Sequence, residues 1–123
     1  MVVLIMLVAA PASATCLDGL TDARLRALVD WTAAQMDLPS GAPLPIVRCA
    51  TEREIRAKGG MNATGEGMYT SDSYTIWLST SKDNLKVHEI VHHLQHLHGI
   101  GKTRLEREIQ AKTIERIWAD AVR

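Results

Sequence analysis

All five histidines of the chain fall within a single eleven-residue stretch. They are His88, His92, His93, His96 and His98. At about 100° per residue, His88, His92 and His96 share one side of a helix, and Glu89 lies beside them. The apolar residues of the stretch fall on the opposite side, and they are Ile90, Val91, Leu94 and Leu97. The stretch is therefore predicted to form an amphipathic helix with one face for the core and one face rich in potential metal ligands.

The segment His88-Glu89-Ile90-Val91-His92 places two imidazoles one helical turn apart. Side chains at this spacing can bind the same zinc ion, with Glu89 beside them as a base rather than a ligand. The alternative without function is a solvated histidine-rich face, or a stretch that binds metal adventitiously.

This pattern resembles that of the zincin metallopeptidases. The longer string from His88 to Gln95 also resembles a small, functionally uncharacterised family of exported bacterial zincin-like domains. The likeness covers about half of the mature chain, namely a predicted hairpin, the histidine helix and the helix after it. It implies zinc-dependent hydrolysis of a peptide or protein substrate, with Glu89 as the catalytic acid-base. It also implies that residues 74–78 form an edge strand above the cleft.

A catalytic zinc ion generally keeps three protein ligands, so a third ligand is needed. The segment Glu108-Ile109-Gln110-Ala111 is similar to the Glu-x-x-Ala motif of the gluzincins, and it lies on a helix predicted over residues 103–122. The offset from His92, 108 − 92 = 16 residues, allows a helix-turn-helix return. We therefore predict that His88, His92 and Glu108 bind Zn²⁺.

Two other residues compete with Glu108 for this role. On a helical wheel Glu106 points closer than Glu108 to the direction of Ile117, so helical periodicity alone would not choose Glu108. His98 occupies the last position of the metzincin motif H-E-x-x-H-x-x-G-x-x-H, but Gln95 stands where that motif has glycine, and a continuous helix would turn His98 toward the core. In the alternative without function, both glutamates belong to a solvated helix surface, with Glu108 paired to Lys112.

The sequence leaves the oxyanion donor and the activity itself open. The candidate donors are His93, His96, Tyr69 and Tyr74. The chain is alternatively a non-catalytic envelope metal-binding module, with His96 and His98 as extra ligands, or a lapsed zincin that serves as an interaction domain. A metal-binding module would tolerate loss of Glu89, whereas an enzyme would not.

The first fourteen residues are predicted to be a secretory signal peptide. Residues 15–123 are predicted to form the zincin-like domain. Residues 1–10 are apolar and uncharged, and Ala12-Ser13-Ala14 has the spacing of a cleavage site. The apolar run is shorter than the roughly 20 residues of a membrane-spanning helix, so no integral membrane segment is expected after cleavage. An exported chain, periplasmic or secreted, meets an oxidising compartment, and we expect Cys16 and Cys49 to form a disulfide.

The remaining patterns predict an α+β fold. An apolar periodicity predicts a helix over residues 22–36, and Thr51 with Glu54 forms a capping box for a short helix ending at Lys58. Residues 46–49 and two segments within 68–78 predict strands, and the glycines at 59, 60, 65 and 67 predict a flexible loop. We therefore expect a small, mostly antiparallel sheet packed on the histidine helix and on a C-terminal helix.

The charge balance argues against a nucleic-acid partner. The chain has 14 basic and 14 acidic side chains, which gives a formal net charge of +0. Proteins that bind nucleic acids usually carry a basic excess or a clustered basic stripe. The partner that the resemblance to zincins implies is a peptide or protein substrate.

Overall fold

The computed structural model describes residues 15–59 and 65–123, and it confirms the α+β class. The predicted leader, residues 1–14, lies outside the described residues. A 3-10 turn at Thr15–Leu17 precedes seven elements: α1 Asp22–Gln35, β1 Ile46–Cys49, α2 Glu52–Gly59, β2 Gly67–Thr70, β3 Thr75–Leu78, α3 Asp83–His98 and α4 Arg104–Ala121. Within the described ranges, no helix is long and apolar enough to cross a membrane.

Side-chain caps mark where α1 and α2 begin. The Thr21 hydroxyl accepts a hydrogen bond from the Arg24 backbone N–H at 3.1 Å and starts α1. Before α2, the Thr51 hydroxyl accepts from the Glu54 N–H at 3.1 Å and the Glu54 carboxylate accepts from the Thr51 N–H at 3.0 Å. This reciprocal pair is the predicted capping box, and it satisfies two backbone donors that a helix start would otherwise leave unpaired.

The three strands form one mixed sheet in the order β1-β3-β2. β2 and β3 are antiparallel because a short turn joins them, whereas β1 reaches β3 through the crossover that contains α2 and pairs with it in parallel. The sheet is therefore mixed, where the sequence predicts a mostly antiparallel one. The expectation that residues 74–78 form an edge strand is wrong, since β3 has a partner on both sides and β2 lies at the edge.

Helix α3 lies at the centre of the core. Its residues Ile90, Val91 and Leu94 are fully buried. They belong to one apolar cluster with residues of the sheet, α1 and α4, among them Ile76, Leu78, Leu28, Val29 and Ile114. Because the apolar face of α3 is held by this cluster, its opposite face is presented at a fixed rotation to α4 and to strand β2.

The predicted disulfide between Cys16 and Cys49 is confirmed. The two Cα atoms are 5.8 Å apart, and the bond joins the 3-10 turn to the end of β1. It spans 33 residues of sequence. A cross-link over such a loop stabilises a small domain by roughly 3 to 4 kcal/mol by restricting the unfolded chain.

Candidate metal centre

His88 and His92 on α3 converge with Glu108 on α4. His88 Nε2 is 3.5 Å from Glu108 Oε2, and His92 Nε2 is 2.7 Å from Glu108 Oε1. One ligand atom from each residue lies within 4.8 Å of the others. With zinc bonds of about 2.0 to 2.1 Å, tetrahedral ligand atoms are about 3.3 Å apart. The spacing of the three groups therefore fits a single ion, and the group could hold a metal.

The turn between α3 and α4 brings Glu108 to the histidines. Gly99 ends α3 with a φ of 64°, and Gly101 has a φ of 85°, values that glycine adopts without strain. A Cβ on Gly101 would also lie 2.5 Å from Arg107 Cγ, so this position needs glycine for space as well. Ala111 and Ile114 are buried against the core and fix the rotation of α4. Glu108 consequently faces α3.

Both histidines are held at the ring nitrogen that points away from Glu108. His88 Nδ1 lies 2.9 Å from Glu115 Oε1, and the Asn84 amide donates to the other oxygen of Glu115 at 2.9 Å. His92 Nδ1 lies 2.8 Å from Gln95 Oε1. The two Nε2 atoms are thereby aimed at Glu108. Partners of this kind orient ligating histidines in many metal sites.

Sequence reasoning missed Glu115 and Gln95 as parts of the site. Glu115 lies seven residues after Glu108, which is two helical turns on the same face of α4, and this periodicity is the signal that could have found it. Gln95 lies three residues after His92 and was considered only as a departure from the metzincin motif. Its contacts depend on how α4 packs, which no local pattern reveals.

Glu89 is a buried carboxyl beside the metal-ligand group. Its side chain is only 6% exposed. Burial, followed by the neighbouring carboxylates of Glu108 and Glu115, raises the pKa of Glu89 to about 8. At neutral pH the metal-free chain therefore holds a proton on this carboxyl. A group that exchanges a proton near neutral pH suits general acid-base chemistry.

The site opens into a cleft with a volume of about 900 Å³. Gly67, Met68 and Tyr69 of the edge strand β2 line one side, and Glu89 and Glu108 line the interior. Gly67 is part of a strand and not of the flexible loop that the glycines predict, and a Cβ there would lie 3.2 Å from Glu89 Oε2. The strand above the cleft is thus β2. The resemblance to zincins instead implies that residues 74–78 lie there.

The two rivals of Glu108 have other places in the structure. The Glu106 carboxylate accepts from the Lys102 backbone N–H at 3.1 Å, and its own N–H donates to the Thr103 hydroxyl at 3.1 Å, so Glu106 caps α4. His98 is exposed at the end of α3 and is not turned toward the core. Among the described residues, no ion pair joins Glu108 to Lys112, and Glu108 faces the histidines instead.

The structure also separates the four candidate oxyanion donors. His93 is buried, with Nε2 at 2.7 Å from the Pro43 carbonyl and Nδ1 at 2.8 Å from the Tyr69 hydroxyl. Because the carbonyl can only accept, Nε2 carries the proton and Nδ1 accepts from Tyr69. Burial raises the pKa of Tyr69 to about 12. His93 and the hydroxyl proton of Tyr69 are thus already used in hydrogen bonds within the protein. His96 is exposed and lines the cleft, and the half-exposed Tyr74 lies beside His96.

Comparisons with protein-family models, with curated proteins and with solved structures find no match to this chain. The resemblance to zincins therefore rests on the motif residues themselves.

Proposed function

We propose that the chain is a zinc-dependent hydrolase of peptide bonds. The observation that carries the proposal is the convergence of His88, His92 and Glu108 on one point, with the buried carboxyl group of Glu89 beside them in an open cleft. Two imidazoles and one carboxylate are a donor set that zinc takes in hydrolytic sites, with a fourth position left for water or substrate. When bound there, the ion supplies a Lewis acid and lowers the pKa of a water molecule toward about 7.

Glu89 is the group that moves the proton. A cation held by His88, His92 and Glu108 would favour the charged form of this carboxyl. The Glu89 carboxylate can then accept a proton from the attacking water and pass it to the leaving amine, the two tasks of a general acid-base. The backbone of Gly67 lies against this carboxylate and limits its positions. Glu115 and Gln95 hold the two histidines, so the ligand group is formed before the substrate arrives.

The edge strand β2 is suited to an extended peptide. The Ser79 N–H donates to the Glu66 carbonyl at 3.0 Å, which marks these two residues as a hydrogen-bonded pair. Hydrogen-bonded and non-hydrogen-bonded pairs alternate along antiparallel strands. The backbone groups of Gly67 and Tyr69 consequently point away from β3, where a peptide can add as a further strand along the cleft.

The proposed location is outside the cytoplasm, periplasmic or secreted. The Cys16–Cys49 disulfide fits an oxidising compartment. The proposed partner is a peptide or protein substrate present there.

The test compares the wild-type chain with Glu89→Gln, using the mature protein with its disulfide intact and without a metal-affinity tag. Zinc content and cleavage of a mixed peptide library are measured on the same samples. We expect Glu89→Gln to retain zinc and to lose hydrolysis by about 100-fold or more. Glu106→Gln, a change of the same chemistry at the capping residue, should leave both unchanged.

Two results would contradict this function. Unchanged turnover in Glu89→Gln would remove Glu89 from the mechanism. A wild-type chain that binds zinc but cleaves no peptide, with metal binding indifferent to Glu89→Gln, would favour a metal-binding module or a zincin-like interaction domain without catalysis.

A further inference from the structure

We infer that Gln95 is a positioning residue that selects the ring nitrogen through which His92 binds the metal. Gln95 is only 2% exposed, and both ends of its side-chain amide are hydrogen-bonded. It lies on α3, one turn after His92, and reaches across to α4. The inference rests on the proposed metal site and concerns how that site is made ready for the ion.

The orientation of the Gln95 amide follows from its partners on α4. Gln95 Nε2 lies 3.0 Å from the Arg107 carbonyl oxygen and 2.9 Å from Gln110 Oε1. A backbone carbonyl can only accept a hydrogen bond, so the NH₂ group of Gln95 must face α4. The oxygen of the same amide must then face His92.

The amide oxygen in turn fixes the proton on His92. Gln95 Oε1 is 2.8 Å from His92 Nδ1 and is an acceptor only, so Nδ1 must donate. A neutral imidazole carries one ring proton, and with that proton on Nδ1 the lone pair of Nε2 is free. Nε2 is the atom that faces Glu108, at the point where the ligand atoms converge.

Without Gln95, the carboxylate of Glu108 would favour the tautomer of His92 that carries its proton on Nε2. Glu108 Oε1 lies 2.7 Å from His92 Nε2, close enough to accept a proton from it. With no acceptor at Nδ1, the proton would move to Nε2 and form a hydrogen bond with Glu108 in the place of the metal. Gln95 opposes this arrangement by offering a competing acceptor on the far side of the ring. With the proton on Nδ1, His92 Nε2 and Glu108 Oε1 are two acceptors 2.7 Å apart, a pair that a bound cation would stabilise.

The same side chain also places the third ligand. Arg107, whose carbonyl Gln95 binds, immediately precedes Glu108 in α4. His88 is held differently, by the carboxylate of Glu115 on α4. The two histidines therefore have unlike partners, one neutral and one acidic, and both partners connect α3 to α4.

The first experiment measures zinc affinity by competition with a chromophoric chelator, for wild type, Gln95→Met, Gln95→Glu and the control Gln35→Met, a change of the same chemistry at an exposed position of α1. Gln95→Met has no acceptor for His92 and should weaken zinc binding by about 10- to 100-fold. Gln95→Glu keeps an acceptor oxygen but loses the donors to α4, so it should bind zinc at least as tightly as wild type while melting at a lower temperature. Gln35→Met should keep wild-type affinity.

The second experiment determines which nitrogen of His92 is protonated in the metal-free protein, from long-range ¹H–¹⁵N spectra. We expect the proton on Nδ1 in wild type and on Nε2 in Gln95→Met. If Gln95→Met does not fold, the wild-type spectrum alone decides the matter, because a proton on Nε2 of His92 there would overturn the inference.

The outcomes distinguish this inference from the proposed function. Equal losses of zinc affinity in Gln95→Met and Gln95→Glu that follow their melting temperatures would show a merely structural role and overturn the inference. Zinc binding by wild type that Gln95→Met leaves unchanged would also overturn it, with the metal site intact. A wild-type chain that binds no zinc would instead overturn the proposed function and with it the metal-directed role of Gln95.

Discussion

Glu108 Oε1 lies 2.7 Å from His92 Nε2, although the two residues are on different helices and 108 − 92 = 16 residues apart. This contact requires the glycine turn after α3 and the burial of one face of α4. It is the tertiary relationship that converts two histidines on a helix into a group of three possible metal ligands. A change in the packing of α3 against α4 would therefore separate Glu108 from the two histidines.

Substitution of Gly67 should displace the Glu89 carboxylate while leaving His88, His92 and Glu108 in place. The Cβ of Gly67→Ala would lie 3.2 Å from Glu89 Oε2 and 3.4 Å from Leu78 Cδ2, so the carboxylate must shift. A misplacement of this size is expected to lower peptide hydrolysis by about 10-fold or more. Steady-state kinetics and zinc content on the same preparation test this.

Gly41→Ala is the matched control, because a Cβ at Gly41 meets nothing within 4 Å. It should leave hydrolysis unchanged even if its backbone strain lowers stability. Full activity in Gly67→Ala would mean that the edge strand does not constrain Glu89.

The stability of the metal-free protein should depend on pH through Glu89. Burial, with Glu108 and Glu115 nearby, raises the pKa of Glu89 from 4.5 to about 8, so the folded chain binds this proton more tightly than the unfolded chain. The contribution is fully present below about pH 4.5 and is lost as the pH rises through about 8. Glu89→Gln stays neutral and has no such loss.

Thermal unfolding in the presence of a chelator measures this effect. The melting temperature of Glu89→Gln minus that of wild type should increase as the pH is raised across this range. A difference that stays constant with pH would show that Glu89 has an ordinary pKa in the fold.

Loss of the disulfide should destabilise the chain without altering the site. Cys16 and Cys49 link the start of the described chain to β1, away from the cleft lining. The double change Cys16→Ser with Cys49→Ser should reduce the free energy of unfolding by roughly 3 kcal/mol. Urea unfolding measures the loss, and zinc affinity below the transition should match wild type. An unchanged urea midpoint would show that the cross-link adds nothing to stability.

Local features of the fold were predictable from the sequence. The positions of the helices follow from apolar periodicity and capping residues such as Thr51 and Glu54, which act over a few residues. The grouping of His88, His92 and Glu108 was predictable because the two histidines are one turn apart and Glu108 lies in a segment similar to the Glu-x-x-Ala motif. The disulfide followed from two cysteines and a predicted leader.

The features that were missed depend on long-range packing. No pattern within residues 74–78 indicates that β1 pairs with this strand and makes it central, because the partner comes from elsewhere in the chain. Glycine is typical of loops, but Gly67 lies in a strand, where Glu89 leaves little room for a side chain. Gln95 acquires its role only when α4 lies against α3.

The metal centre is tested most directly by the metal content of the purified mature protein, measured by elemental analysis beside His88→Ala, Glu108→Ala and the control Glu106→Ala. We expect one equivalent of zinc in wild type and in Glu106→Ala, and its loss in His88→Ala and Glu108→Ala. No metal in wild type, or zinc that persists in Glu108→Ala, would contradict the assignment of His88, His92 and Glu108 as the metal centre.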